Sequence, residues 1–168
     1  MLVNLGKIFD RDEVSKHLEV QFDFSAMDFG GGVTFPEPVS VSLDLKRNSR
    51  ETFLKLKVSR EGECICDRCL DEFTRHFDFD RDYVVTPSTL TETDPDIPVT
   101  PDNVLDLEQW TYREMCLGLP SSILCSDDCL GLCPVCGRPL REGCDCKNKK
   151  TIDPRLAVLT QLLDNDDD

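Results

Sequence analysis

The chain has 168 residues, 48 of them Leu, Ile, Val or Phe, which is enough apolar material for one ordinary domain with a small appendage and excludes a disordered polypeptide. Nineteen Lys and Arg stand against 33 Asp and Glu, a formal charge of −14, and so acidic a chain is no general coat for DNA or RNA. No run approaches the roughly 18 apolar residues of a membrane-spanning helix. The opening Met1 to Lys7 has neither a basic nor an apolar signal region. A cytoplasmic chain without a membrane partner is the expectation.

Residues 17–86 alternate with period two. Leu18, Val20, Phe22 and Phe24 share one parity, as do Val39, Val41, Leu43 and Leu45, and again Leu54, Leu56 and Val58. Phe73, Phe77, Phe79, Tyr83 and Val85 form a fourth stripe, interrupted by Arg75 and Arg81. Such stripes predict four to six antiparallel strands with one buried face, separated by turns such as Arg47-Asn48-Ser49-Arg50. Gly30-Gly31-Gly32 reads as a turn, without the spacing of a phosphate-binding loop.

The fold class is therefore α+β: a mostly antiparallel β sandwich or partly open barrel over 1–86, then a proline-rich linker over 87–103. A helix, a cysteine-rich metal-binding segment and a C-terminal helix follow over 104–163. Residues 164–168 form an acidic tail. Asp106 is placed to cap the first helix, over about 106–118, with Leu107, Trp110 and Leu117 near one face and Gly118 and Pro120 ending it. Trp110 is expected in the core. Asp153-Pro154 opens the last helix.

Ten cysteines without an export signal point to metal rather than disulfides. Cys133-Pro134-Val135-Cys136-Gly137 is a knuckle whose two thiolates can grip one tetrahedral ion, and Cys144 and Cys146 return seven residues later to complete a four-thiolate site. Cys66-Asp67-Arg68-Cys69 is a second C-x-x-C, at a turn between strands. With Cys125 and Cys129 it can form a split site. Spacing does not fix this pairing, since Cys125 and Cys129 can trade places with ligands of the first site. Cys64 can stand in for Cys66 as a poorer knuckle, and Cys116 reads as a small core residue.

Closed all-cysteine sites are structural, and two zinc ions are the expected cofactors, with iron as the competing metal. A redox role for Cys66 and Cys69 would need a thioredoxin-like helix N-terminus, whereas Asp67, Asp71 and Glu72 oppose a thiolate there. Neither His17 nor His76 lies near a cysteine in a catalytic pattern, and no nucleophile–base set stands out. No enzyme activity is expected. Eight thiolates around two zinc ions would take the chain to roughly −18. Against this acidity, Arg138, Arg141, Lys147, Lys149, Lys150 and Arg155 form one basic island. Such cations neutralise a dianionic zinc–thiolate centre, or offer a small phosphate-contacting patch.

Taken in order, Cys66-x-Arg68-Cys69-Leu70, Leu117-Gly118-Leu119-Pro120, Cys125-x3-Cys129-x-Gly131-Leu132-Cys133-Pro134-x-Cys136-Gly137, Cys144-x-Cys146 and Asp153-Pro154-Arg155-Leu156-Ala157 resemble the YceD family of large ribosomal RNA subunit accumulation proteins. The resemblance spans about 100 residues, from Cys66 to Leu163. It implies a non-enzymatic role in building up large-subunit (23S) ribosomal RNA. Taken with the charge asymmetry of the chain, the expected partners are the large-subunit RNA precursor, a basic large-subunit ribosomal protein, or both, and not DNA. The competing expectation is a zinc-stabilised regulatory or scaffold module that contacts proteins only.

Overall fold

A computed structural model describes residues 1–9, 15–48, 51–86, 97 and 103–146. Two compact units divide at Cys129 and Leu130. In the first, β1 (Leu2–Asn4), α1 (Gly6–Phe9), β2 (Ser15–Phe22), β3 (Val33–Thr34), β4 (Val39–Asn48), β5 (Glu51–Ile65) and β6 (Glu72–Val85) precede β7 (Val104–Asp106) and α2 (Leu107–Gly118). β2, β4, β5 and β6 pair antiparallel in that order, and β3 extends the β4 edge of β5. β1 and β7 make a separate antiparallel ribbon. The fold is α+β with open antiparallel sheets, the class the alternation predicts.

Register turns the sequence stripes into rows. Val20, Val41, Val58 and Phe79 lie side by side, next to Leu18, Leu43, Leu56 and Arg81. The apolar members feed one core with Phe24, Phe35, Leu105, Leu107, Trp110 and Met115. Arg81 sits on this inner row because its Nε reaches Oε2 of Glu114 at 3.3 Å, while the Tyr83 hydroxyl donates to Oε1 of Glu114 at 2.8 Å. A buried carboxylate so satisfied explains the polar interruption of the β6 stripe. Arg75, the other interruption, lies 5.7 Å over the Phe77 ring.

Asp106 caps α2 as the sequence predicts, accepting hydrogen bonds from the Glu108 and Gln109 amides at 3.2 and 3.4 Å. Trp110 is fully buried, edge-on to Tyr83 with ring centroids 5.4 Å apart. Leu117 corrects the expected helix face: it is 65% exposed, and the buried positions are Leu107, Trp110, Thr111, Glu114 and Met115. The helix turns inward on its Glu114 ion pair, leaving Leu117 outside. Gly118 then allows the helix end to close on the sheet, since a Cβ there would lie 2.5 Å from Phe79 Cδ1.

Of the expected linker over 87–103, Ile97 and Asn103 are described. Ile97 is buried in the core, and the Asn103 carbonyl accepts from the Leu5 amide at 2.8 Å. In the second unit, an isolated antiparallel bridge joins Leu132 and Pro139, and a single 3₁₀ turn covers Leu140–Glu142. The expected helix from Asp153 and the acidic tail lie outside the described residues.

Candidate metal centres

The β5–β6 connection is a tight turn. The Leu70 amide donates to the Cys66 carbonyl and the Cys66 amide to the Asp71 carbonyl, both at 2.9 Å. Leu70 takes the left-handed conformation (φ 63°), uncommon for a non-glycine residue. The turn is tied to the 123–129 loop. The Asp67 amide donates to the Ile123 carbonyl at 2.8 Å, its carboxylate accepts from the Ile123 amide at 2.6 Å, and Arg68 donates to the Cys129 carbonyl at 3.0 Å. Asp67 and Arg68 are positioning residues that cysteine spacing alone does not reveal. Their signal is their place inside C-D-R-C.

These contacts bring Cys66, Cys69, Cys125 and Cys129 together, with all four Sγ atoms within 4.8 Å of one another. The Cys66–Cys129 and Cys69–Cys125 sulfurs stand 3.7 and 3.6 Å apart. Four thiolates around zinc, at about 2.3 Å from the ion, have edges of about 3.8 Å, so the donor set fits a tetrahedral metal. Cys64 is outside the cluster, buried, with its thiol 3.7 Å from the Gly62 carbonyl. Cys116 is only partly buried against the core.

Charge is divided unequally among the thiols. Burial opposes a Cys66 thiolate, but backbone amides of Cys125, Cys69 and Arg68 outweigh it and lower its pKa to about 6. Cys69 is pushed well above the ordinary thiol range by its 3.0 Å hydrogen bond to Asp71. The expectation that acidic neighbours oppose a thiolate therefore holds at Cys69 and fails at Cys66. There the amides of the 123–129 loop and of the turn, rather than a helix end, supply the positive potential.

The second centre is built within one hairpin. The Cys133 amide donates to the Arg138 carbonyl at 2.7 Å, the Gly137 amide to the Cys133 carbonyl at 2.8 Å, and the Leu140 amide to the Gly131 carbonyl at 2.9 Å. Gly137 takes φ 71°, the left-handed geometry that closes the knuckle. Cys133, Cys136, Cys144 and Cys146 gather with their sulfurs within 4.8 Å of one another. Amides of Cys136 and Val135 lower Cys133 to about 6, while sharing a proton with Cys136 lifts Cys146 to about 12. Cys133 is buried and Cys136 exposed.

Both clusters can hold a metal ion, and both supply four protein donors, leaving no open position for substrate. Of the basic island, Arg138 and Arg141 are exposed beside the second centre, while Lys147, Lys149, Lys150 and Arg155 lie outside the described residues. Within the described residues, no helix is long and apolar enough to cross a membrane.

A Mycobacterium tuberculosis protein described as uncharacterized is 42% identical over 67 residues, covering 40% of this chain and 32% of its own length. A Mycobacterium bovis protein matches with the same identity and coverage, so the chain spans about a third of the length of these relatives. The Bacillus subtilis protein YlbN, also described as uncharacterized, is 26% identical over 133 residues, covering 78% of this chain and 77% of its own. No solved structure matches. The sequence pattern of the large ribosomal RNA subunit accumulation protein YceD matches residues 54–163, a span that takes in both cysteine clusters and α2, and the chain belongs to the YceD family.

Proposed function

We propose that this protein supports the accumulation and processing of large-subunit ribosomal RNA in the cytoplasm by binding rather than by catalysis, with one structural zinc ion in each cluster. The observation that carries the reading is the pair of closed four-thiolate clusters inside the span that matches the family. Closed sites fix a surface; they do not activate water or substrate. Cys66, Cys69, Cys125 and Cys129 hold one ion, and Cys133, Cys136, Cys144 and Cys146 the other. Arg138, Arg141, Lys147, Lys149, Lys150 and Arg155 meet precursor RNA, and the acidic body meets a basic large-subunit ribosomal protein.

Depleting the protein is expected to lower large-subunit RNA relative to small-subunit RNA, with large-subunit precursors accumulating. An unchanged ratio would overturn the role. Charge reversal at Lys147, Lys149 and Lys150 separates RNA contact from protein contact, because it should abolish crosslinking to precursor RNA. Retained crosslinking would favour the alternative, a zinc-stabilised scaffold that touches only protein.

A further inference from the structure

We infer that the outer face of the β2–β4–β5–β6 sheet docks an extended, lysine- and arginine-rich polypeptide segment. The inference rests on the binding role proposed above and gives one of its partners a surface and a chemistry. The core takes one parity of each strand, and the other parity is left exposed or half-exposed. On that outer face the register builds polar rows: His17, Asp44, Lys55 and Asp82, then Glu19, Ser42, Lys57 and Asp80. The Ser59–Asp78 pair begins a third. An open groove of about 890 Å³ runs over the second and third of these rows, lined by Glu19, Gln21, Ser42, Lys57, Asp78 and Asp80 among others, and the His17–Asp82 row borders it.

Shape and charge point to the same occupant. Asp78, Asp80 and Asp82 lie on one face of β6 at every second residue, a repeat of about 7 Å. An extended segment with a cation at alternate positions has the same repeat, so successive ammonium or guanidinium groups meet successive carboxylates. The carboxylates are held in place. Asp78 accepts from the Ser59 hydroxyl at 2.7 Å, Asp44 lies 2.6 Å from the His17 ring, and Lys55 bridges Asp80 and Asp82 at 3.3 and 3.2 Å.

Preorganised carboxylates lose little freedom on binding. Counting Glu19, Asp44, Asp78, Asp80 and Asp82 against Lys46, Lys55 and Lys57, the face is acidic and repels phosphate. At one end the rows finish in an exposed apolar pair, Phe53 and Val84, directly cross-strand and 40% and 52% exposed. That pair offers the segment an anchor beyond charge.

The test uses the full chain with its metal bound and a fluorescein-labelled heptapeptide alternating Lys and Thr, beside a peptide of the same composition with the lysines in one block. The alternating peptide should bind several-fold more tightly than the block, with amide shifts confined to β2, β4, β5 and β6. Asp78→Asn/Asp80→Asn/Asp82→Asn should weaken it about tenfold, against less than about twofold for Glu37→Gln/Glu108→Gln/Asp128→Asn. The single Asp80→Asn variant, and Phe53→Thr, provide milder losses should the triple variant fail to fold.

Equal weakening by both triple variants, no preference for alternation, or shifts spread over the whole surface would overturn the docking face. Expressing the β6 variant in depleted cells separates this from failure of the proposed role. A depletion that leaves ribosomal RNA unchanged overturns the role, whereas full rescue by the β6 variant overturns only the face.

Discussion

Cys69 and Cys125, 56 positions apart in the chain, stand with sulfurs 3.6 Å apart in the first centre, whereas all four donors of the second fall between Cys133 and Cys146. The donor chemistry is the same, yet the chain problems differ. A metal in the first centre ties the β5–β6 turn to the segment after α2, across the length of the sheet unit, and so restrains a long loop of the unfolded chain. A metal in the second organises one hairpin that has a single bridge and a 3₁₀ turn of its own. Metal at the first therefore acts on global stability, and metal at the second on local order.

The largest effect expected to expose this difference comes from Cys69→Ser. It should remove one metal ion per chain and lower the melting temperature of the sheet unit by about 10 °C, for a loss of about 3 kcal/mol or more. Cys144→Ser should also remove one ion, yet leave that melting temperature nearly unchanged while the hairpin becomes protease-sensitive. Calorimetry with metal analysis on both variants checks the pair, and equal melting temperatures would erase the distinction.

Next in size is a loss of stability without loss of metal. Glu114→Leu strips Arg81 of its carboxylate and Tyr83 of its acceptor, and should cost about 2 kcal/mol in denaturant unfolding with both ions retained. Gly118→Ala forces a Cβ against Phe79 and should cost about 1–3 kcal/mol, again with both ions in place. Loss of an ion from either variant would mean that the first centre is not independent of the helix packing.

Asp67→Asn probes the centre's frame more gently. It weakens the 2.6 Å bond to the Ile123 amide, and should cost about 1 kcal/mol and speed metal release from the first centre alone. A chromogenic chelator following release in two phases reads this directly, since only one phase should accelerate.

The smallest effect lies outside both centres. Hydrogen bonds to Asp44 and then Glu19 raise the His17 pKa above its ordinary 6.5. The folded state thus holds that proton more tightly than the unfolded chain does. The stabilisation is complete below pH 6.5 and is lost as pH rises through the folded value. In an NMR titration His17 should have a midpoint above 6.5, and His17→Gln should remove the small stability gain at low pH without releasing metal.

How far the sequence could be read follows from the range of each interaction. The second centre was legible because its C-P-x-C-G knuckle and returning C-x-C are local. The inner faces of β2, β4, β5 and β6 were legible from period two, whereas β1, β3 and β7, at two or three residues each, are too short to carry it, and Asp106 announced the start of α2. The split centre was legible as four cysteines but not as a pairing, because Asp67, Arg68 and Ile123 decide that pairing through contacts across more than 50 residues. Arg81 looked like an interruption until Glu114, 33 positions later, supplied its partner. Leu117 looked like core for the same reason, since a helical repeat does not say which charged residue a core can accommodate. The outer rows were invisible because register, not parity, brings Asp80 beside Lys57.

The most direct test of the two-centre account is native mass spectrometry of the full chain, purified without chelator, beside Cys69→Ser and Cys144→Ser. The account predicts two zinc ions per chain, one in each variant, and none in the double variant. A single ion in the unmodified chain, or an iron–sulfur mass with visible absorption, would contradict it.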